Sequence, residues 1–286
     1  MTLRQLFASL VEANARWFRG QRDRRLIARS RDDFTGLYER VHAEHEPVFV
    51  LSPGRSGSLL MTRMFSLDRS LEPLHEPLPE LGWHNAWALA HPEEVRRAAD
   101  FFDAARYEFI RDAHLVGRRY VETNNRCTFF ARAIALLYPR ARFIHLVRHP
   151  VSFVRSGLTR GWYTKRTLYD DSRPSGRDDE WEHLDRVEKV AWLWQATHEY
   201  IDAFKSDHEG LVHTVVAEEL FSDEEVGLEV FRFLRQPVPA AARVRRVVRK
   251  RVNASTKGTV SLTDADEQRI LARTPSARMY YPELGR

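Results

Sequence analysis

The residues Gly54-Arg55-Ser56-Gly57-Ser58 have the makings of an anion site. Two glycines let the main chain come close to a phosphate oxygen and turn its N–H groups toward it. Ser56 and Ser58 bring hydroxyl donors, and Arg55 brings a guanidinium fork that matches phosphate oxygens. The flanking periodicities differ. Val48-Phe49-Val50-Leu51 is a short apolar run of β-forming residues and reads as a buried strand. Leu59, Leu60, Arg63 and Met64 fall at helical spacing. Strand, small-residue loop and helix start together aim backbone donors and a helix N-terminus at one point. The loop is not the nucleoside-triphosphate motif G-x-x-x-x-G-K-[ST], because no lysine follows Gly57 and the glycines stand too close together.

A second chemically capable pair, His75-Glu76, lies in Leu71–Glu80, which carries Pro73, Pro77 and Pro79. Three prolines rule out a helix and a central strand, leaving a stiff extended segment that can hold a side chain at a fixed angle. His42, His45, His84, His91 and His114 show no metal-ligand spacing. Cys127 is the one cysteine of the chain. It permits no intrachain disulfide and reads as a small buried side chain in a reducing compartment.

These residues need elements to place them. Arg118–Thr123, Arg142–Val147 and Leu211–Val216 read as further strands. Helices are expected over Phe34–His45, Pro92–Asp112, Cys127–Tyr138, Val151–Leu158, Trp181–Lys205, Leu220–Leu234, Ala241–Val252 and Asp264–Arg273. Arg160–Glu180 is polar and glycine- and proline-bearing, and reads as a long binding loop. Alternating strands and helices predict an α/β fold, a central parallel sheet flanked by helices in three layers.

The chain has 286 residues, 43% hydrophobic and 30% charged, and a net charge of +5. This composition suits a folded globular protein and excludes a disordered one. Residues 1–31 hold eight arginines against Glu12 and Asp23, so this end carries +6 and the rest −1. The apolar positions of residues 3–29 predict an amphipathic helix, packed on the body with its arginines in water; docking on anionic lipid or an acidic partner is the competing reading. The expected division is a basic helical extension over 1–46 and one α/β domain over 47–286. No apolar run is long enough to span a bilayer and no secretory leader is evident, so a cytoplasmic protein is expected, peripheral to a membrane if residues 1–31 dock there.

Arg55-Ser56-Gly57-Ser58 resembles the phosphosulfate loop [KR]-S-G-[ST]-[ST] of sulfotransferases that use 3′-phosphoadenosine 5′-phosphosulfate, with Leu59 in place of the last hydroxyl. The resemblance extends to the family's second signature, an arginine at a strand end and a serine eight positions later, met here by Arg148 and Ser156. Glu218-Glu219-Leu220 is similar to the family's [YF]-E-[DE]-L stretch. Asn253–Gly258 resembles the basic loop that closes on the 3′-phosphate, which implicates Lys257 and Gly258. The likeness is closer to carbohydrate-type members than to cytosolic aryl-type ones. It implies a P-loop-like fold with a nucleotide site at Gly54–Leu59, Arg148, Ser156, Lys257 and Gly258. It also implies in-line sulfuryl transfer to a hydroxyl or amine of a small-molecule, carbohydrate or lipid acceptor, without a metal and without nucleic acid. Arg55 would carry leaving-group charge, Glu76 in His-Glu-Pro would be the general base, and His75 is the alternate. A P-loop kinase, which needs a lysine after Gly57, and a non-catalytic basic docking protein are the competing functions.

Overall fold

A computed structural model of the chain describes residues 34–164, 172–176, 179–249 and 260–285. The expected basic helix at residues 1–31, and Lys257 and Gly258, lie outside the described residues. Five strands form the sheet: β1 Val48–Leu51, β2 Leu71–Leu74, β3 Arg119–Glu122, β4 Arg142–Val147 and β5 Val212–Val216. All pair in parallel, in the order β2-β3-β1-β4-β5. β1 is flanked by β3 and β4 and is buried along its whole length, as its unbroken apolar run requires. From β1 the chain builds one side of the sheet through β2 and β3, then crosses to build the other through β4 and β5. The strand order therefore reverses beside β1, and the crevice at the C-terminal ends of β1 and β4 is where open α/β sheets bind ligands.

Helices cover both faces. Phe49, Leu51 and Phe143 point into a core shared with α1 (Leu37–Glu44), α4 (Val95–Leu115) and α5 (Ala131–Leu137). Val48, Val50, Ile144, Leu146 and Val215 point the other way, toward α2 (Ser58–Phe65), α9 (Ala217–Ser222), α10 (Glu224–Phe233) and α11 (Ala241–Val248). Period-two alternation divides each strand between the two cores. Beyond β4, a third cluster joins Val147 to α6 (Pro150–Thr159), α8 (Arg186–Asp207) and α12 (Asp264–Arg273). The three-layer parallel α/β architecture is the one expected.

Some elements differ from expectation. Leu71–Leu74 is an edge strand despite Pro73, a place where a missing N–H costs little. The helix expected over Trp181–Lys205 is broken into α7 (Asp179–His183) and α8. The break comes at Asp185, whose carboxylate accepts from Glu188 N–H while Glu188 accepts from Asp185 N–H, a reciprocal cap. Asp223 likewise splits Leu220–Leu234, its side chain accepting from Glu225 N–H at 2.8 Å. Residues 125–130 are 3₁₀ before α5 begins. A short helix, α3 (Gly82–Ala90), precedes α4.

Candidate active site

The loop after β1 is clamped at its root. Ser52 N–H donates to Thr128 Oγ1 at 3.0 Å, and the Thr128 hydroxyl donates to Ser52 O at 2.9 Å. Gly54, Arg55 and Gly57 all have positive φ, at 91°, 54° and 108°. Arg55 takes a conformation rare for residues with a Cβ, and such strain gathers at ligand clamps. A Cβ on Gly57 would stand 2.9 Å from the Phe221 ring, so only glycine fits. Ser56 is fully buried and donates its hydroxyl to Gly54 O at 3.0 Å. Its hydroxyl thus closes the loop from inside, unlike the outward donor expected, and Ser58 is the hydroxyl that reaches the cavity. No side chain caps α2, whose N-terminal turn opens on the same loop.

Arg148 and Ser156 meet this loop directly. Arg148 closes β4 and donates from Nη1 to Arg55 O at 2.7 Å. Arg55 in turn donates from Nε to Ser156 Oγ at 3.1 Å. Trp194 Nε1–H holds the Arg148 carbonyl at 2.7 Å. Glu218 braces the start of α6, accepting from His149 N–H at 3.2 Å and from the Tyr281 hydroxyl at 2.7 Å. Neither Arg55 nor Arg148 forms an ion pair among the described residues, and Arg148 Nε is buried without a partner. Burial pushes both guanidinium pKa values down, and at Arg55 the charges of Arg160 and Arg148 add to it. Both remain cationic, since arginine titrates far above neutrality. Two partly buried cations, joined through one loop, face the same cavity.

His75 and Glu76 follow β2. His75 Nδ1 lies 2.8 Å from Thr123 O. A carbonyl can only accept, so Nδ1 carries a proton, and in the neutral ring the lone pair lies on Nε2. Thr123 Oγ1 is 2.6 Å from Thr62 Oγ1, and Thr62 donates to Ser58 O, which ties this histidine to the loop helix. Glu76 has φ 46° and stands 3.8 Å from the Arg126 guanidinium. The segment beyond is pinned from below. Arg106 is fully buried and donates to Pro77 O at 3.2 Å and Pro79 O at 3.0 Å. Its Nε pairs with buried Glu122 at 2.8 Å. Glu122 also accepts from Tyr120, Asn124 and Cys127, so the buried charges are saturated. Burial, then the adjacent Glu122, pushes the Cys127 thiol up, which makes it inert.

One cavity of about 900 Å³ gathers these groups. Gly54, Arg55, Gly57, Ser58 and Leu59 line it from the loop, Arg148 and Ser156 from the β4–α6 unit, and His75 and Glu76 from the segment after β2. Ser56 is absent from its wall. Among the described residues no cluster of His, Cys, Asp or Glu is arranged to hold a metal. Most further wall residues carried no local signal in the sequence. Phe221 comes from α9, and Arg126 from the 3₁₀ turn after β3. Arg160, Trp162 and Arg173 come from the region expected to be a single loop. For Arg160 a signal existed. Gly161, at φ 72°, follows it; Trp162 N–H bonds to Gly157 O at 3.1 Å and Gly161 N–H to Leu158 O at 3.0 Å. This is the glycine-terminated helix end, with Trp162 packed where Gly157 has no Cβ.

A profile described as "Sulfotransferase family" matches residues 47–229. The fold is similar to that of a sulfotransferase, STF9, from Mycobacterium avium, with TM-score 0.50 and 16% identity over 86% of this chain and 79% of that one. It is likewise similar to a sulfotransferase, STF1, from Mycobacterium tuberculosis, with TM-score 0.50 and 15% identity over 88% and 81%. A comparison with curated proteins found no match. The matched span begins one residue before β1 and ends within α10, so it contains the loop, His75-Glu76, Arg148, Ser156 and Glu218; the chain belongs to the sulfotransferase family.

Proposed function

We propose that the chain transfers a sulfuryl group from 3′-phosphoadenosine 5′-phosphosulfate to a hydroxyl or amine of its acceptor. The observation that carries this reading is the contact between the two anion-binding motifs. Arg148 bonds to the Arg55 carbonyl, Arg55 to Ser156, and the buried Arg148 Nε points at no protein acceptor. The donor, when bound, supplies the sulfuryl group and leaves as the 3′,5′-bisphosphate. Gly54–Ser58 and the first turn of α2 would hold the 5′-phosphosulfate, and Arg148 and Ser156 the 3′-phosphate. Arg55 bridges the two and stabilises negative charge as it grows on the departing phosphate. The Phe221 ring, packed on Gly57, offers the nucleotide an apolar face. Lys257 and Gly258 are assigned to the 3′-phosphate on family resemblance alone.

The acceptor must lose a proton. Of the two candidates His75 is better prepared than Glu76. Its Nδ1 proton is committed to Thr123 O, so Nε2 stands ready to accept. Glu76 instead faces Arg126 and balances its charge. The test is calorimetric titration with 3′-phosphoadenosine 5′-phosphate in the absence of magnesium. The native chain is expected to bind it, and Arg148→Ala to weaken binding about 10- to 100-fold, the worth of one charged hydrogen-bonding group. Absence of binding, with ATP–magnesium bound instead, would overturn the proposal in favour of a kinase.

A further inference from the structure

The cavity holds more positive charge than the nucleotide motifs account for, and two of the surplus arginines, Arg160 and Arg173, lie beyond the end of α6. Ser152, Ser156 and Thr159 face the cavity from successive turns of that helix. Arg148 stands before its first turn, Arg55 sits over Ser156, and Arg160 lies one turn, about 6 Å, further along. The donor motifs are thus complete before Arg160 is reached. Among the described residues the Arg160 side chain makes no hydrogen bond and no ion pair. Nor is it needed to cap α6. The last carbonyls are taken by the Gly161 and Trp162 amides and by Arg186, which donates to Leu158 O and Trp162 O.

A second cation stands beside it. The Arg173 guanidinium sits over the Trp162 ring, its carbon 4.1 Å from the ring centre, and lines the same cavity. Arg126 lines it too, with Glu76 as the one carboxylate among the described wall residues. Arg160 adds its charge to that of Arg55; the donor's anionic groups answer Arg55, and a neutral acceptor would leave Arg160 uncompensated where an anion would pair with it.

We infer that the acceptor carries an anionic group of its own, a carboxylate, phosphate or sulfate, held by Arg160 and Arg173 while its hydroxyl or amine faces His75. This rests on the sulfuryl-transfer reading above, and it names a class of acceptor which that reading leaves open. It makes Arg160 a specificity-determining residue, placed by the glycine turn at Gly161 and by Trp162 packed on Gly157.

The experiment loads the chain with intact 3′-phosphoadenosine 5′-phosphosulfate, so that every donor position is filled, and then titrates inorganic phosphate, followed by phosphorus NMR. The loaded native chain is expected to bind one phosphate. Arg160→Gln and Arg173→Gln should each weaken it about tenfold or more, while donor affinity stays within about threefold of native. Three results would overturn the inference: no phosphate bound to the loaded chain, Arg160→Gln binding it as tightly as native, or Arg160→Gln losing the donor as Arg148→Ala does. A native chain that cannot be loaded fails at the first step, which refutes the sulfuryl-transfer reading and is thereby distinguished from failure of the anionic acceptor.

Discussion

His75 is committed at one ring nitrogen and open at the other. The commitment to Thr123 O fixes the tautomer, and the link through Thr62 to Ser58 fixes the ring relative to the anion loop. His75→Asn can preserve the bond to Thr123 while removing Nε2. This variant is expected to lose about 10²- to 10⁴-fold in kcat with little change in KM, the contribution typical of a general base. Glu76→Gln, which removes only the charge facing Arg126, is expected to cost less than about tenfold. Steady-state kinetics of the two variants decides the matter, and a reversed order of effects would make Glu76 the base.

At the scale of elements, the site stands on two devices. α6 starts at a proline after the β4 arginine and ends at a glycine, so both ends of its cavity face are set by backbone chemistry. The proline-bearing segment after β2 has no helix or ladder of its own to hold it. Arg106 does that work from α4 by binding the carbonyls of Pro77 and Pro79 while paired to Glu122 in the core. Arg106→Met leaves Glu122 charged and buried. It is expected to destabilise the fold by about 3–5 kcal/mol in urea unfolding, with loss of activity from the displaced His75. A change under about 1 kcal/mol would mean that the segment is held by something else.

At the scale of the whole molecule, His45, His145 and His198 are buried, and folding keeps them neutral. His45 accepts from Tyr120 N–H at 3.1 Å, and burial takes its pKa down to about 3. His145 and His198 share one hydrogen bond at 2.7 Å between β4 and α8; burial lowers both, His198 to about 3. Unfolding releases these rings to take up protons below their ordinary pKa of about 6.5. The stability they contribute is therefore complete above that pH and is lost as pH falls from about 6.5 toward 3, by about 1.4 kcal/mol per pH unit for each ring. His42 opposes this. Its pairing with Asp103 outweighs burial and raises its pKa, which favours the folded state at lower pH. The depressed rings outnumber it, so urea midpoints should fall between pH 7 and pH 5, a window above most carboxylate titration. His45→Asn should flatten part of that fall, and equal midpoints at the two pH values would contradict the assignment.

What could be read along the chain was local. The strand, glycine loop and helix over Val48–Met64 are adjacent in sequence, and Arg148 and Ser156 stand eight positions apart, at a strand end and on the helix that follows, so short-range patterns expose both motifs and the parallel α/β alternation around them. The helix breaks at Asp185 and Asp223 were readable too, as capping residues, but the apolar periodicity running through them concealed the signal. The tertiary structure alone decided how distant pieces meet. It put Arg55 on Ser156, buried the Ser56 hydroxyl and laid Phe221 over Gly57. It also set Thr123 behind His75, buried Arg106 under the prolines and brought Arg160 and Arg173 to the same cavity wall. These contacts depend on strand order and on the packing of helices far apart in the chain, and neither leaves a periodicity or a motif in the residues that make them.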